Sequence, residues 1–225
     1  MAQTNDFDDK PINKILNYIH WFFLTSIYFT LANILFILAI YTFDLRFDNL
    51  LIFFIALIPA GPAITALCSC MNKIIFDKYI DTTRDFFKGY KENFILSMKF
   101  WIPLLCISSL LIFDIKLCFI NGKFLILQIP LILMLTFSII LASYVFPIVC
   151  RYKIKLLDSI KLAIYLSFKN LLTTLINLLI IVISTYLFIN SRGLFGFFLS
   201  SIACFGILFN LKSSFRFIQN KFING

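Results

Sequence analysis

Hydrophobic residues come in long uncharged runs separated by short charged clusters. Residues 15–43, 49–72, 124–150, 170–191 and 193–211 carry no formal charge apart from any protonation of His20, and 93–113 carries only Lys99. A bilayer crossing needs about 20 apolar residues, so the pattern predicts six transmembrane helices. His20 and Trp21 stand near the start of the first, where amphipathic rings favour the membrane interface. Asn33 lies mid-helix and is expected to make an interhelical hydrogen bond, with a substrate contact as the lesser alternative. Lys99 can snorkel back to the interface.

Two charged stretches have a different period. Along the charged stretch 73–92 and just past it, Tyr79, Thr83, Phe86, Phe87, Tyr90 and Phe94 recur at helical spacing opposite Lys and Asp side chains. In 151–169, Ile154, Leu157, Ile160 and Ile164 do the same beside Arg151, Lys153, Lys155 and Lys161. Each predicts an amphipathic helix lying in the interface plane. Such a helix either anchors a loop or offers a docking surface. Asp114, Lys116 and Lys123 mark a loop around the Asn121-Gly122 turn dipeptide.

Pro59-Ala-Gly-Pro62 interrupts the second helix. Proline removes a backbone donor and clashes with the preceding turn, so the helix must kink or break there. It is read as a packing kink, with a broken helix lining a cavity as the alternative. The fourth helix has prolines only near its ends, at Pro130 and Pro147.

Composition makes the membrane reading firm. The 225 residues are 61% hydrophobic and 14% charged, against about half and a quarter in soluble domains. The expected fold is therefore all-α: a polytopic membrane helix bundle in a single domain over 1–225. A tail at 1–14, a bundle at 15–211 and a basic tail at 212–225 divide it. The acidic start and long first run do not fit a secretory signal peptide. The net charge of +9 raises nucleic acid as a partner, but its distribution argues for one membrane face. With both termini inside, the outer loops hold only Arg46, Lys116, Lys123 and Arg192, four basic residues against sixteen inside. The positive-inside rule then places both termini in the cytoplasm.

The chemistry-bearing residues are sparse. Cys68, Cys70, Cys106, Cys118, Cys150 and Cys204 fall mostly in apolar runs, and one histidine cannot complete a zinc site with Cys68-x-Cys70. No phosphate loop, catalytic triad or pair of mid-membrane carboxylates stands out. No cofactor and no enzymatic activity are expected. The 29 phenylalanines read as lipid-facing rather than as a stacking site.

Asp81 and Asn93 are twelve residues apart, as are Asp158 and Asn170, and Ser97 matches Thr174 at the same offset of 77. A two-fold repeat explains this spacing, and apolar composition alone is the competing explanation.

Gly61, Pro62, Ala63, Ala66 and Leu67 close a membrane helix; Phe87, Tyr90, Asn93 and Phe94 follow, then Trp101. This series resembles the YesL family of small bacterial integral membrane proteins, grouped as a domain of unknown function. Cys68 stands where that family often has Tyr. The resemblance implies a bacterial cytoplasmic membrane and a link to carbohydrate uptake or utilisation. Pro59, Gly61, Pro62, Ala66, Phe87, Tyr90, Asn93, Phe94, Trp101, Pro147, Asp158 and Asn170 are the residues singled out. The leading expectation is an accessory or regulatory protein, embedded in lipid and bound to a permease complex, a membrane sensor or a second copy of itself. The alternative is a small-solute transporter or channel subunit built around the Pro59–Pro62 break.

Overall fold

The computed structural model describes residues 11–44, 46–121, 125–152, 154–190 and 196–218. The tail at 1–10, Gly122, Lys123, Lys153, Arg192, Gly193 and the chain end from 219 lie outside these. Among the described residues all regular structure is helical: α1 (Pro11–Ala32), α2 (Ile34–Thr42), α3 (Leu50–Ala56), α4 (Ala60–Phe76), α5 (Thr82–Asn121), α6 (Leu125–Tyr152), α7 (Leu156–Lys169), α8 (Leu171–Asn190) and α9 (Gly196–Ile218).

By length and hydropathy four of the described helices can cross a membrane, or five when α3 and α4 are taken as one bent span. The chain is thus compatible with a multi-pass helical membrane protein, but the six expected spans are not all found: α9, the segment read as the sixth, is not among these candidates.

Helix α4 is the axis of the bundle. It is the helix richest in small residues, and Ala63, Ala66, Cys70 and Met71 are fully enclosed by α1, α5, α6 and α9. Small side chains let neighbouring backbones approach where lipid supplies no hydrophobic drive. Around it gather Phe86 and Phe100 of α5, Tyr144–Val149 of α6, Leu166 of α7 and Leu208, Leu211 and Phe215 of α9. Outward, large apolar side chains such as Leu172, Leu133 and Ile126 stay exposed, as a lipid-facing surface requires. Lys78, at φ 57°, ends α4 with its amide donating to the Lys73 carbonyl at 3.1 Å, a left-handed helix terminus.

The Pro59 break is present in the fold. α3 and α4 meet at 41° across residues 57–59. Pro62 is the third residue of α4, inside the first turn where its missing N–H is harmless. A second break, not expected, falls at Asn33, where α1 stops and α2 begins.

The two interfacial helices need correction. Residues 82–92 are not a separate element, because α5 runs unbroken for 40 residues through Asn93, Pro103, Asp114 and Lys116 to Asn121. At 1.5 Å per residue it is about 60 Å long, twice the hydrocarbon thickness. The expected loop at Asp114 and Lys116 is likewise helix. α7 is a separate helix, but Ser159, Ala163, Leu166 and Ser167 are its buried residues and Leu157 is 71% exposed. Phe168 reaches Phe137 of α6, ring centroids 6.2 Å apart. α7 packs on the bundle through these buried residues, with Ile154 and Ile160 of the expected row only partly buried at the edge of the core and Leu157 turned away from it.

The basic tail also begins later than expected. Lys212–Ile218 continues α9, and Phe215 is fully buried against Tyr152. Phe222 lies outside the described residues.

Candidate functional site

The α4–α5 pair organises the residues singled out from the sequence. At its inner end the break at 57–59 leaves carbonyls without their helical donors. Trp101 supplies one, its indole N–H donating to the Leu57 carbonyl at 2.9 Å. To do so the indole lies flat against Gly61: a Cβ there would stand 2.6–2.8 Å from Trp101 side-chain atoms. Pro59, Gly61 and Trp101 are thus one device, a break, a gap and the donor that fills it.

Further along the pair, Gly89 faces Ser69 and Ala66. A Cβ on Gly89 would come within 2.9 Å of the Ser69 Cβ and 3.4 Å of the Ala66 Cα. Beside this contact the Thr65 and Ser97 hydroxyls lie 2.8 Å apart in the core. Ser97 donates to the Asn93 carbonyl at 2.6 Å, Asn93 Nδ2 donates to the Gly89 carbonyl at 3.2 Å, and the Cys150 thiol donates to the Thr65 carbonyl at 3.0 Å. Ala66 and Asn93 belong to this polar seam.

Beyond Asn93 the seam opens into a pocket of about 300 Å³ between α4, α5 and α6. Ser69, Asn72, Lys73, Asp85, Lys88 and Arg151 are among its lining residues. Lys73 Nζ pairs with Asp85 Oδ1 at 2.5 Å, and Asp85 Oδ2 accepts the Asp81 amide at 3.2 Å. Lys88 and Glu92 approach to 3.8 Å, one helical turn apart. The Arg151 guanidinium sits 3.7 Å from the centre of the Phe76 ring, with Phe215 and Lys212 close by. Asn72 is 9% exposed, and neither polar atom of its amide has a partner among the described residues. A buried amide left unpaired in this way costs free energy and marks a place where a polar group could be received.

The pocket offers amide, ammonium, carboxylate and guanidinium groups. Among the described residues no group of three or more His, Cys, Asp or Glu is placed to bind a metal.

The remaining residues lie elsewhere. The aromatic face expected on α5 is split: Phe86 is 1% exposed and belongs to the core, whereas Phe87 is 57% exposed and packs on Phe86 and Tyr28. Tyr90 is half-buried with Phe94 at 5.7 Å. Pro147 is buried in the wall of α6 without interrupting it. Asp158 is exposed in the first turn of α7, while Asp81 precedes α5. Asn170 breaks the chain between α7 and α8 and donates to Ser214 at 2.9 Å. Thr174 echoes Ser97: it donates to the carbonyl four residues back, at 3.1 Å, and its hydroxyl lies 2.8 Å from Tyr144. Asn33, expected to bond across helices, donates instead to the Phe29 carbonyl of its own helix at 2.8 Å.

Asn72, Asp85, Arg151 and Phe76 are not among the residues that sequence patterns single out. The spacing of Lys73 and Asp85, on opposite arms of a helical hairpin, is the available signal. Arg151 arrives from a distant helix. Cys68 and Cys204 also meet unannounced, their sulfurs 3.4 Å apart between α4 and α9.

Residues 17–115 match the family model described as "Protein of unknown function, DUF624". The match covers α1 to α5 apart from the start of α1 and the end of α5, and it contains every residue from Gly61 to Trp101 that carries the resemblance. YesL proteins contain this same segment, so the resemblance holds. No curated protein and no solved structure matches the chain.

Proposed function

We propose, with this DUF624 segment as the premise, that the chain is a non-enzymatic accessory protein of the bacterial cytoplasmic membrane. It binds a permease complex or membrane sensor concerned with carbohydrate uptake or utilisation. The observation that carries the reading is the charged pocket at one end of the bundle. Its unpartnered Asn72 amide, the charges around it and the start of α5, which is long enough to stand clear of the bilayer, together favour a protein partner. Positive charge gathers at the same end, which supports cytoplasmic termini and a cytoplasmic docking face.

The test is crosslinking in native membranes, purification of the tagged chain and mass spectrometry of what accompanies it. Stoichiometric recovery of permease subunits or a sensor, lost in Asn72→Leu with Arg151→Glu, is the expected result. Recovery of the chain alone, or only with itself, contradicts the accessory role.

A second reading, small-solute transport, is favoured by one observation. Both helix breaks line one cavity of about 320 Å³, with Asn33 from the first break and Leu57 and Ala60 from the second. Paired interruptions around a common space are a transporter feature. Saturable flux into liposomes holding the pure protein would favour this reading over the first.

A further inference from the structure

The cavity between the two breaks is apolar, and the polar side chains that line it donate largely within the protein. Its walls are mainly apolar and aromatic: Phe29, Phe36, Leu57 and Trp101. Among the described residues no formally charged side chain lines it. Five of its polar side chains donate internally. Asn33 Nδ2 donates to the Phe29 carbonyl at 2.8 Å and Trp101 Nε1 to the Leu57 carbonyl at 2.9 Å. The hydroxyls of Thr30, Ser184 and Thr185 donate to Ser26, Ile180 and Ile181 carbonyls of their own helices at 2.8, 2.6 and 2.8 Å. What remains of the three hydroxyls is acceptor capacity, Trp101 has nothing left to offer, and Asn33 keeps its Oδ1 and one amide N–H. Asn33 Oδ1 is the strongest such acceptor: the residue is 6% exposed, and this oxygen has no partner among the described residues. Its amide cannot turn over to satisfy it without giving up the Phe29 carbonyl.

An occupant of this cavity must therefore bring a donor and no charge, on an apolar body. A hydrocarbon chain leaves Asn33 Oδ1 unpaired, which a buried carbonyl resists. An anion meets lone pairs. A cation finds no carboxylate among the described lining residues. We propose that the cavity binds a neutral, membrane-dissolved alcohol, its hydroxyl donating to Asn33 Oδ1 and its hydrocarbon lying against Phe36 and Trp101. At about 320 Å³ the space is at the small end of ligand pockets. It fits a short-chain alcohol or the hydroxyl-bearing end of a longer lipid. The docking pocket lies at the opposite end of α4, so the alcohol site stands whether or not the accessory role does.

The chain contains a probe for this site. It has two tryptophans, so Trp21→Phe leaves Trp101, on the cavity wall, as the sole indole fluorophore. The purified full chain in phosphatidylcholine vesicles would be titrated with terminally brominated hexanol and, separately, with bromohexane, at matched bilayer concentrations. Contact with bromine quenches the indole. Saturable quenching by the alcohol, half-complete at about five-fold lower bilayer concentration than for the alkane, is expected for one neutral hydrogen bond. In Asn33→Leu both probes should quench alike. Equal half-saturation in the Trp21→Phe chain, or quenching that rises without saturating as from free lipid, overturns the proposal. Preference for the alcohol that survives Asn33→Leu overturns the role of Asn33. The first comparison stands without the Asn33 variant, so a failure of that variant to fold leaves the test intact.

Discussion

At the scale of single residues, Gly61 and Trp101 carry the most information. The indole occupies the space that any other residue at 61 would need. Gly61→Ala should therefore destabilise the protein by about 1–3 kcal/mol, the usual result of overpacking, read as a lower melting temperature in detergent. Trp101→Phe removes the donor to the Leu57 carbonyl and should lower stability by a similar amount, about 1–3 kcal/mol. The double variant should lose less than the sum, because a ring no longer held by the Leu57 carbonyl can shift away from the methyl added at position 61. Additive losses would show that the two residues do not act together. Lys73 makes a second local test. Asp85 is the more enclosed partner of that pair, its side chain 10% exposed against 42% for Lys73. Lys73→Met should lower stability, by about 1–3 kcal/mol once solvent screening of the lysine is allowed for. Lys73→Met with Asp85→Asn should recover much of the loss, since the stranded charge is gone.

At the scale of elements, α5 separates what is legible in the sequence from what is not. A row of aromatics every three to four residues fixes helix, and helix is found. The same row cannot say whether the helix lies on the membrane or continues upward from it, because both need an amphipathic period. The decision is made by α4, which offers Ser69 and Ala66 to Gly89 and holds the two helices together. It also rotates the aromatic face, so that Phe86 enters the core and Phe87 covers its edge. Phe86→Ala should accordingly lower stability by about 3–5 kcal/mol, and Phe87→Ala by much less. Equal small effects on stability, with loss of membrane protection for both, would restore the interfacial helix. The break at Pro59 is legible because proline chemistry is local. The break at Asn33 is not, because asparagine is tolerated in helices and only its surroundings decide. Leu157 misleads for a related reason: α7 meets α6 closely, and close approach selects Ser159 and Ala163 over larger apolar residues.

At the scale of the whole molecule, two of its polar regions are candidate sites. One is the charged pocket around Asn72, where α4, α5 and α6 meet at one end of the bundle. The other is the uncharged cavity where both helix breaks meet. Neither is legible as a site, since each is assembled from helices far apart in the chain. What can be read is the asymmetry of charge, sixteen basic residues against four. The structure brings Arg151, Lys212 and Lys73 to one end of the bundle. Trp21, near the start of α1, meets Tyr79 at that end as well. The proposed docking role requires this end to face the cytoplasm. Asp44, at the turn after α2, then faces outward.

Labelling of single cysteines in intact cells decides this most directly. With the native cysteines replaced, Asp44→Cys and Asp77→Cys would be treated with a membrane-impermeant maleimide before and after permeabilisation. Labelling of position 44 in intact cells, and of position 77 only after permeabilisation, is the predicted result. Labelling of position 77 from outside, or the same behaviour at both positions in an inserted protein, would contradict it.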